Sequence, residues 1–399
     1  MHILIIPSWY PVSEKDLKVS FIREQAESRL KYDANLNVGV LNSLLDDMYS
    51  FSGMPLFNRI IKTRENGLNV YRSKCLNWFR RVPFLGLKIW IYEGMKLAKR
   101  YIREHGKPDI IHAHFMFYGG LLAARVSKKY NIPLVITEHN SGYARGFVKQ
   151  WQLNLGIKAF SQASQCIAVS KNFAAYLDKK YKLPNNSWVY IPNMVSDIFF
   201  EYPLGCKNSK KDYFTFTTIC HLNSNKGVDV LIKAFAKCFN NKKQIRLVIG
   251  GDGNERSYLE KLVKLLKIED QVDFLGKLSR KEVLLVLAKT DSYVLSSHYE
   301  TFGIILAEAL ALGKPVISTN CGGPLSIVTK ENGVLVEKGN VEEMTEGLSY
   351  LYDNISAYNS IEIRKDCANR FSEPVVIGQI LSIYKGVIDN HRAVNKVFI

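Results

Sequence analysis

The chain has 399 residues, of which 47% are hydrophobic and 23% are charged, a balance typical of a folded α/β protein. No run approaches the 18 or so apolar residues of a membrane-spanning helix, and the initial HILIIP is too short for a signal peptide. Seven scattered cysteines without C-x-x-C pairs argue against structural zinc and disulfides. These features predict a cytoplasmic protein of two or three domains.

The formal net charge of +17 is concentrated in one stretch. Residues 59–107 contain 13 Lys or Arg and three acids, a net charge of +10. The aromatic residues of this stretch include Trp78, Phe79, Phe84, Trp90 and Tyr92. Basic and aromatic side chains together suit an anionic membrane surface, which we favour. A nucleic-acid-binding patch and a plain solvated face are the alternatives.

The first half of the chain predicts an open α/β sheet. Strands are predicted at 3–7, 38–41, 68–71, 109–114, 133–137 and 166–169, and helices at 21–31 and 85–104. The loop at 8–20 follows the first strand, where open α/β sheets place ligand sites. No dinucleotide-binding fingerprint follows that strand, which disfavours an oxidoreductase.

Two polar clusters follow predicted strands of this half. His112 and His114 end one strand, and Glu138, His139 and Asn140 follow the next. The histidine pair lacks a nearby third ligand, so no metal site is predicted. Acid, imidazole and amide groups together suit a polyhydroxylated ligand, with a simple polar turn as the alternative.

A second α/β series is predicted after a linker at 203–212. Its first strand, 214–220, leads through the loop 221–227 to a helix at 228–239. Two further strands end in short glycine-containing turns, 250–253 and 276–278. Neither turn is a Walker loop, because G-K-[ST] is missing.

Residues 291–320 predict a strand, a loop, a helix and a second strand. The helix is predicted from about Phe302 to Leu312, with Thr301 as its N-cap. Ile304 would then occupy N3, where it cannot close a capping box, so the first amides and the helix dipole are open to a phosphate. The carboxylates of Glu300 and Glu308 suit hydroxyl groups, and the whole pattern indicates a sugar nucleotide.

Glu300, Phe302, Gly303 and Glu308 form the pattern E-x-F-G-x-x-x-x-E, followed by Gly-Lys-Pro-Val. This resembles the E-x7-E signature of retaining GT-B glycosyltransferases of family 4, the group 1 glycosyltransferases, of the bacterial surface-polysaccharide type. The resemblance implies two Rossmann-like domains facing across a cleft. An acceptor domain would span 1–205 and a nucleotide-sugar donor domain 206–374, with a C-terminal helix in 375–399 crossing back to the first domain.

The resemblance also implies roles for individual residues. Catalytic roles are predicted for His114 beside the donor sugar, Lys226 on the donor diphosphate and Glu300. Donor binding is predicted for a larger set in the second half: His221, Gly251, Lys277, Leu278, Phe302, Gly303, Ile304 and Glu308. Acceptor binding is predicted for Glu138, His139 and Asn140. Three positions depart from the family: His221 replaces an arginine, and Val19 and Met194 each replace a glycine.

We therefore expect a retaining glycosyltransferase that moves a sugar from a nucleotide sugar, UDP-linked rather than GDP-linked, to a lipid-linked or saccharide acceptor. Its pathway would be O-antigen, capsule or exopolysaccharide assembly, at the inner face of the plasma membrane. No D-x-D triplet occurs, so neither a metal nor another cofactor is expected, and nucleic acid is not expected as a partner. The alternatives are a GT-B-like UDP-sugar 2-epimerase and a basic nucleic-acid-binding protein; the oligomeric state is left open.

Overall fold

The computed structural model describes residues 1–12, 19–33, 35–46, 59–76, 82–184, 187–204 and 213–397. The chain forms two compact units. The first unit comprises Met1–Val169, Ala174–Ile191 and Ile377–Ile399, and the second comprises Ser170–Phe173 and Pro192–Val376. Most of the predicted linker at 203–212, and with it the predicted boundary between 205 and 206, lies outside the described residues. So do four residues of the predicted membrane face: Trp78, Phe79, Arg80 and Arg81.

The first unit is built on an eight-stranded sheet with the order β3-β4-β2-β1-β5-β6-β7-β8. Its strands are β1 (His2–Pro7), β2 (Asn37–Asp46), β3 (Arg59–Glu65), β4 (Leu68–Leu76), β5 (Ile110–His114), β6 (Leu134–Glu138), β7 (Gln165–Ala168) and β8 (Val189–Tyr190). All neighbours are parallel except β3 and β4. The continuous apolar run of β1 is fully buried, as expected for a parallel strand covered on both faces.

Five helices of this part of the chain connect the strands: α1 (Ser20–Tyr32), α2 (Pro83–His105), α3 (Leu121–Tyr130), α4 (Gln150–Phe160) and α5 (Lys171–Tyr181). Proline opens α2 at a position where its missing N–H costs nothing. Helix α2 does not present all of its aromatic residues to solvent. Trp90 is buried and its indole N–H donates to the Ser43 carbonyl at 2.5 Å, so its predicted place on a membrane face is wrong. Phe84 and Tyr92 are exposed.

The second unit contains a six-stranded sheet with the order β11-β10-β9-β12-β13-β14, and every pair is parallel. Its elements in chain order are α6 (Asp197–Glu201), β9 (Phe214–Ile219), α7 (Val228–Phe239), β10 (Ile245–Gly250), α8 (Arg256–Leu265), β11 (Val272–Gly276), α9 (Arg280–Lys289), β12 (Ser292–Leu295), α10 (Ile304–Ala311), β13 (Val316–Thr319), β14 (Gly333–Val336), α11 (Val341–Asp353) and α12 (Ser360–Phe371). The order reverses between β9 and β12. Ligands of open α/β sheets bind at the carboxyl ends of strands at such a switch point.

The last helix, α13 (Glu373–Val397), contributes Ile377 and the residues after it to the first unit. Tyr384 of this helix is fully buried, and its hydroxyl lies 2.5 Å from Nδ1 of His112 and 3.0 Å from the Arg29 guanidinium. The C-terminal segment is therefore part of the core of the first unit.

Candidate functional site

Two loops meet at the switch point of the second sheet, one after β9 and one after β12. The Ser296 hydroxyl donates to the Lys226 carbonyl at 2.8 Å, and the His298 amide donates to the Asn225 carbonyl at 2.7 Å. Gly227 sits between the loops with φ of 58°, and a Cβ there would lie 2.2 Å from the Ser296 carbonyl oxygen. Only glycine permits this contact, which brings Lys226 beside the second loop.

Lys226 and Glu300, both predicted as catalytic, form an ion pair at this point. Nζ of Lys226 lies 2.5 Å from Oε1 of Glu300, which also accepts a hydrogen bond from the Ser297 hydroxyl at 2.9 Å. Burial by itself would lower the pKa of Lys226, but the negative charge and hydrogen bond of Glu300 outweigh it, so the pKa is raised. The lysine is therefore a fixed cation at neutral pH.

Helix α10 begins later than predicted. Its N-cap is Gly303, in a left-handed conformation with φ of 102°, and not Thr301, and no side chain of the N-cap accepts a hydrogen bond from the first turn. Phe302 is buried and its ring meets that of Phe371 edge-on at 5.6 Å, which fixes the bend before the helix. The first amides, including that of Ile304, thus belong to a helix start without a side-chain cap, as a phosphate site requires.

Glu308, predicted to bind donor, is fully buried inside the second unit. Its Oε1 lies 2.6 Å from Nη1 of Arg280, the first residue of α9, and the Arg280 guanidinium covers the Phe199 ring at 4.7 Å. Arg280 is not among the residues predicted from the sequence. The capping box formed by Ser279 and Glu282 predicts a helix start here. No nearby residue in the sequence indicates that Arg280 pairs with Glu308.

The remaining predicted donor residues lie on the turns after β9, β10 and β11. The ring Nδ1 of exposed His221 donates to the Asp252 carbonyl at 2.7 Å. Gly251 has φ of 113°, and a Cβ there would meet the Cys220 carbonyl oxygen at 1.8 Å, so the two turns touch through backbone alone. Leu278 packs beside Gly250, and Lys277 is exposed. These turns share the carboxyl edge of the sheet with the Lys226–Glu300 pair.

In the first unit, His114 and His139 lie at the ends of neighbouring strands. Nδ1 of His114 is 3.0 Å from Nε2 of His139, and the rings stack with centroids 5.3 Å apart. Nε2 of His114 is buried and has no hydrogen-bond partner within the described chain. Burial, followed by the neighbouring His112, His139 and Arg29, holds the pKa of His114 well below 6.5.

His112 is a packed strand residue, as predicted. It is fully buried, and Nδ1 faces both the Arg29 guanidinium at 3.1 Å and the Tyr384 hydroxyl, while Nε2 lies 2.7 Å from the Thr137 hydroxyl. Two donors on Nδ1 require the neutral tautomer with its proton on Nε2. Burial and then the Arg29 charge lower the pKa of His112 well below 6.5.

We predict that stability of the first unit falls as pH decreases below about 6.5. The pKa of His114 is lowered on folding, so at lower pH the unfolded chain takes up a proton that the folded chain refuses. Each such histidine contributes a slope of up to about 1.4 kcal/mol per pH unit. His114→Gln should reduce the slope by about that amount between pH 6 and 5. Urea unfolding followed by tryptophan fluorescence measures it, because all five tryptophans precede residue 192.

The exposed His298 supplies the matched control, because His298→Gln makes the same substitution in the second unit, whose unfolding tryptophan fluorescence does not follow. Glu138 acts in the opposite direction: burial raises its pKa, so its contribution favours the folded state as pH falls. Glu138 is present in the wild type and in both variants, so its contribution cancels when their free energies of unfolding are compared at the same pH. Equal slopes for His114→Gln and wild type would contradict the prediction.

Glu138, predicted to contact an acceptor, is hydrogen-bonded to its own loop and to the segment after β5. Its carboxylate accepts hydrogen bonds from the backbone amides of Met116, His139 and Asn140 at 2.8 Å each, and from the Tyr143 hydroxyl at 3.0 Å. Four donors occupy both oxygens of a fully buried group, so the residue fixes the loop. The side chain of Asn140 accepts from the Gly142 amide at 2.8 Å and caps the following turn.

The loop before α1 contains Val19, which replaces a family glycine. Val19 has φ of 51° and is the N-cap residue of α1. A β-branched residue pays a steric cost in this left-handed region. The backbone therefore keeps a glycine-like conformation without the space that glycine would leave.

No group of three His, Cys, Asp or Glu side chains among the described residues is placed to hold a metal ion. Nor does any helix within the described ranges have the length and apolar character needed to cross a membrane.

Two families match successive parts of the chain. Residues 63–197 match Glycosyltransferase Family 4, and residues 206–370 match Glycosyl transferases group 1. An uncharacterised glycosyltransferase of Haemophilus influenzae is 33% identical over 46% of this chain and 51% of its own length, so the chain aligns with about half of that relative. Another from Methanocaldococcus jannaschii is 26% identical over 80% of this chain and 85% of its own length.

Solved structures are similar over nearly the whole chain. Sucrose-phosphate synthase from Thermosynechococcus elongatus has a TM-score of 0.79 at 20% identity and covers 98% of this chain and 99% of its own. HepE from Anabaena, solved in complex with UDP, has a TM-score of 0.71 at 19% identity and covers 97% of this chain and 100% of its own. The chain therefore has the GT-B fold, and its matches to glycosyltransferases in 63–197 and 206–370 make it an enzyme of the transferase class that is similar to group 1 glycosyltransferases.

Proposed function

We propose that this enzyme transfers a sugar from a nucleotide sugar, with retention of anomeric configuration, to a lipid-linked or saccharide acceptor of surface-polysaccharide biosynthesis. The observation that carries the donor half of the proposal is the Lys226–Glu300 pair, at the same sheet edge as the start of α10. The Lys226 cation and the amides at the start of α10 can bind a diphosphate, and the Glu300 carboxylate can accept hydrogen bonds from sugar hydroxyls.

In the proposed reaction, the bond between the anomeric carbon and the phosphate oxygen breaks while the acceptor oxygen bonds to the same face of that carbon. The acceptor hydroxyl proton passes to the departing phosphate oxygen, so no protein nucleophile is needed. Lys226 and the amides at Ile304 stabilise the charge that develops on the diphosphate. Lys226 must leave Glu300 for the phosphate, and this exchange frees Glu300 to orient a sugar hydroxyl.

A UDP-sugar is the favoured donor, supported by the bound UDP of the similar HepE structure. The exposed turns at His221 and Lys277 would lie along the diphosphate and the base. His221 offers an imidazole where the family has arginine, so this position provides ring nitrogens in place of a guanidinium. Glu308 would contact the ribose only after moving relative to Arg280, because its carboxylate is fully buried in this structure.

In the first unit, the proposed catalytic residue His114 offers the unpartnered Nε2 to a donor-sugar hydroxyl. Burial, and then the neighbouring His112, His139 and Arg29, lowers the pKa of His114 and keeps it neutral, which suits hydrogen bonding better than charge pairing. His139 and Asn140 remain the proposed acceptor contacts. Glu138 would act through the loop that it holds.

The decisive experiment is a thermal-shift panel of UDP-, GDP- and ADP-sugars. A ligand at 100 times its Kd stabilises the folded state by about 2.7 kcal/mol, so the true donor should stand out through a raised Tm. We expect a UDP-sugar to give the largest shift. Activity with that donor should persist in EDTA, because we propose that Lys226 and the helix amides stabilise the diphosphate without a metal. The proposal would be contradicted if no nucleotide sugar raised the Tm, or if EDTA abolished activity and Mg²⁺ restored it.

We further propose that the enzyme works as a peripheral protein at the inner, anionic face of the plasma membrane. The described part of the basic stretch supports this: α2 exposes Lys88, Lys96, Lys99 and Arg100 together with Phe84 and Tyr92. Each basic residue near an anionic surface contributes about 1 kcal/mol at low salt. The two glycosyltransferase matches disfavour the alternatives of a 2-epimerase and a nucleic-acid-binding protein.

A further inference from the structure

A groove of about 480 Å³ lies between the start of α2 and one face of α4, both in the first unit. Its apolar lining includes Val82, Phe84, Trp151 and Leu155. Phe84 is 47% exposed and its ring meets that of Trp151 edge-on at 6.4 Å. Aromatic surface of this kind, left open to solvent beside a concave site, indicates a bound partner.

The rim of the groove is basic. Lys149, the N-cap residue of α4, and Lys158, on α4, line it, and Nζ of Lys88 lies 4.9 Å from the centre of the Phe84 ring. No acidic residue occurs in 139–177 or in 66–92, although the chain has 37 Asp and Glu in 399 residues. Helix α4 and the first turns of α2 therefore combine apolar lining with uncompensated positive charge. A ligand with a hydrocarbon portion and an anionic head complements both features.

We propose that this groove binds the hydrocarbon chain of an anionic lipid, with Lys88, Lys149 and Lys158 around its phosphate. The proposal rests on the proposed membrane-associated function and adds a defined lipid site to it. A flat basic surface would attract the membrane by charge alone, which salt screens over about 8 Å. A chain seated against Trp151 adds burial of apolar surface, which salt does not weaken.

Quenching by brominated lipid tests whether a chain enters the groove. Vesicles of phosphatidylglycerol with bromine on the acyl chains should quench tryptophan fluorescence of the wild-type protein, and Trp151→Phe should remove most of that quenching. Co-sedimentation of Trp151→Phe with the vesicles should stay within about twofold of wild type, because phenylalanine preserves the apolar wall. Unchanged quenching in Trp151→Phe would overturn the site.

Charge reversal tests the rim. Lys149→Glu with Lys158→Glu should weaken vesicle binding by at least about tenfold, since each basic residue near the surface contributes about 1 kcal/mol. Lys179→Glu with Lys180→Glu, on the exposed end of α5, makes the same change in net charge away from the groove and is the matched control. Equal losses for the two pairs would show a general charge effect and overturn the proposal.

The same variants separate this site from the donor site. Donor-induced thermal shifts should be unchanged in both lysine pairs, because their residues belong to the first unit and the Lys226–Glu300 pair to the second. A variant that loses quenching by brominated lipid but keeps the normal donor-induced thermal shift would show that the effect belongs to the groove and not to the donor site. If the wild-type protein bound neither anionic nor neutral vesicles, the lipid proposal would be excluded. An apolar peptide would then be the remaining candidate for the groove.

Discussion

Replacing Lys226 by alanine is expected to lower kcat at saturating donor by about 100-fold or more, with the fold intact. The backbone of Lys226 is held at the switch point by the Ser296 hydroxyl, so its charge needs only to pass from Glu300 to the adjacent diphosphate. A preorganised donor of this kind, directed at developing charge, typically contributes 10²–10³ in rate. The measurement is product formation with the donor that the thermal-shift panel identifies.

Lys233→Ala is the matched control. Lys233 lies on α7, which follows Lys226 in the chain, and pairs with Asp229 at 2.9 Å on the surface. Surface pairs contribute little to stability, so this variant should retain both activity and Tm. A folded Lys226→Ala enzyme with nearly normal kcat would remove the lysine from the proposed mechanism.

The meeting of Lys226 and Glu300, 74 residues apart, could be predicted only in part from the sequence. Strand patterns place both residues in loops at carboxyl ends of parallel strands, hence at one edge of a sheet. They do not reveal that β9 and β12 are neighbours, since strand order follows from the packing of the helices between them. The resemblance to family 4 assigned both residues to one site without giving the strand order. The sequence indicates a turn at Gly227, but it does not show that Gly227 contacts Ser296.

Arg280 and Arg29 show why some buried polar contacts could not be predicted from the sequence. Each lies in an ordinary helical sequence, and its partners come from distant segments: Glu308 for Arg280, and His112 and Tyr384 for Arg29. Tertiary packing alone brings these charges inside. Glu138 shows a second limit: its polar surroundings predicted a ligand, and the structure adds four hydrogen bonds to its carboxylate, from the amides of Met116, His139 and Asn140 and from the Tyr143 hydroxyl. A polar cluster in a sequence does not show which way its side chains point.

Replacing Arg280 by leucine is expected to lower the free energy of unfolding of the second unit by about 3 kcal/mol. The change leaves the carboxylate of Glu308 buried without the guanidinium 2.6 Å away, and breaking one side of a buried pair costs about 3–5 kcal/mol. We take the lower figure because the Arg280 side chain is 25% exposed. Urea unfolding followed by circular dichroism measures it, since the second unit contains no tryptophan.

The double variant Arg280→Leu with Glu308→Gln separates the ion pair from simple packing. Removing the carboxylate charge should restore most of the lost stability, because a neutral amide is far cheaper to bury than an unpaired carboxylate. Glu308→Gln alone should stay near wild-type stability and chiefly weaken donor binding, with kcat at saturation nearly unchanged, if Glu308 binds the ribose. A double variant no more stable than Arg280→Leu would show that the pair is not the source of the loss. A fall in kcat alone for Glu308→Gln would instead place Glu308 in the chemical step and Glu300 in donor binding.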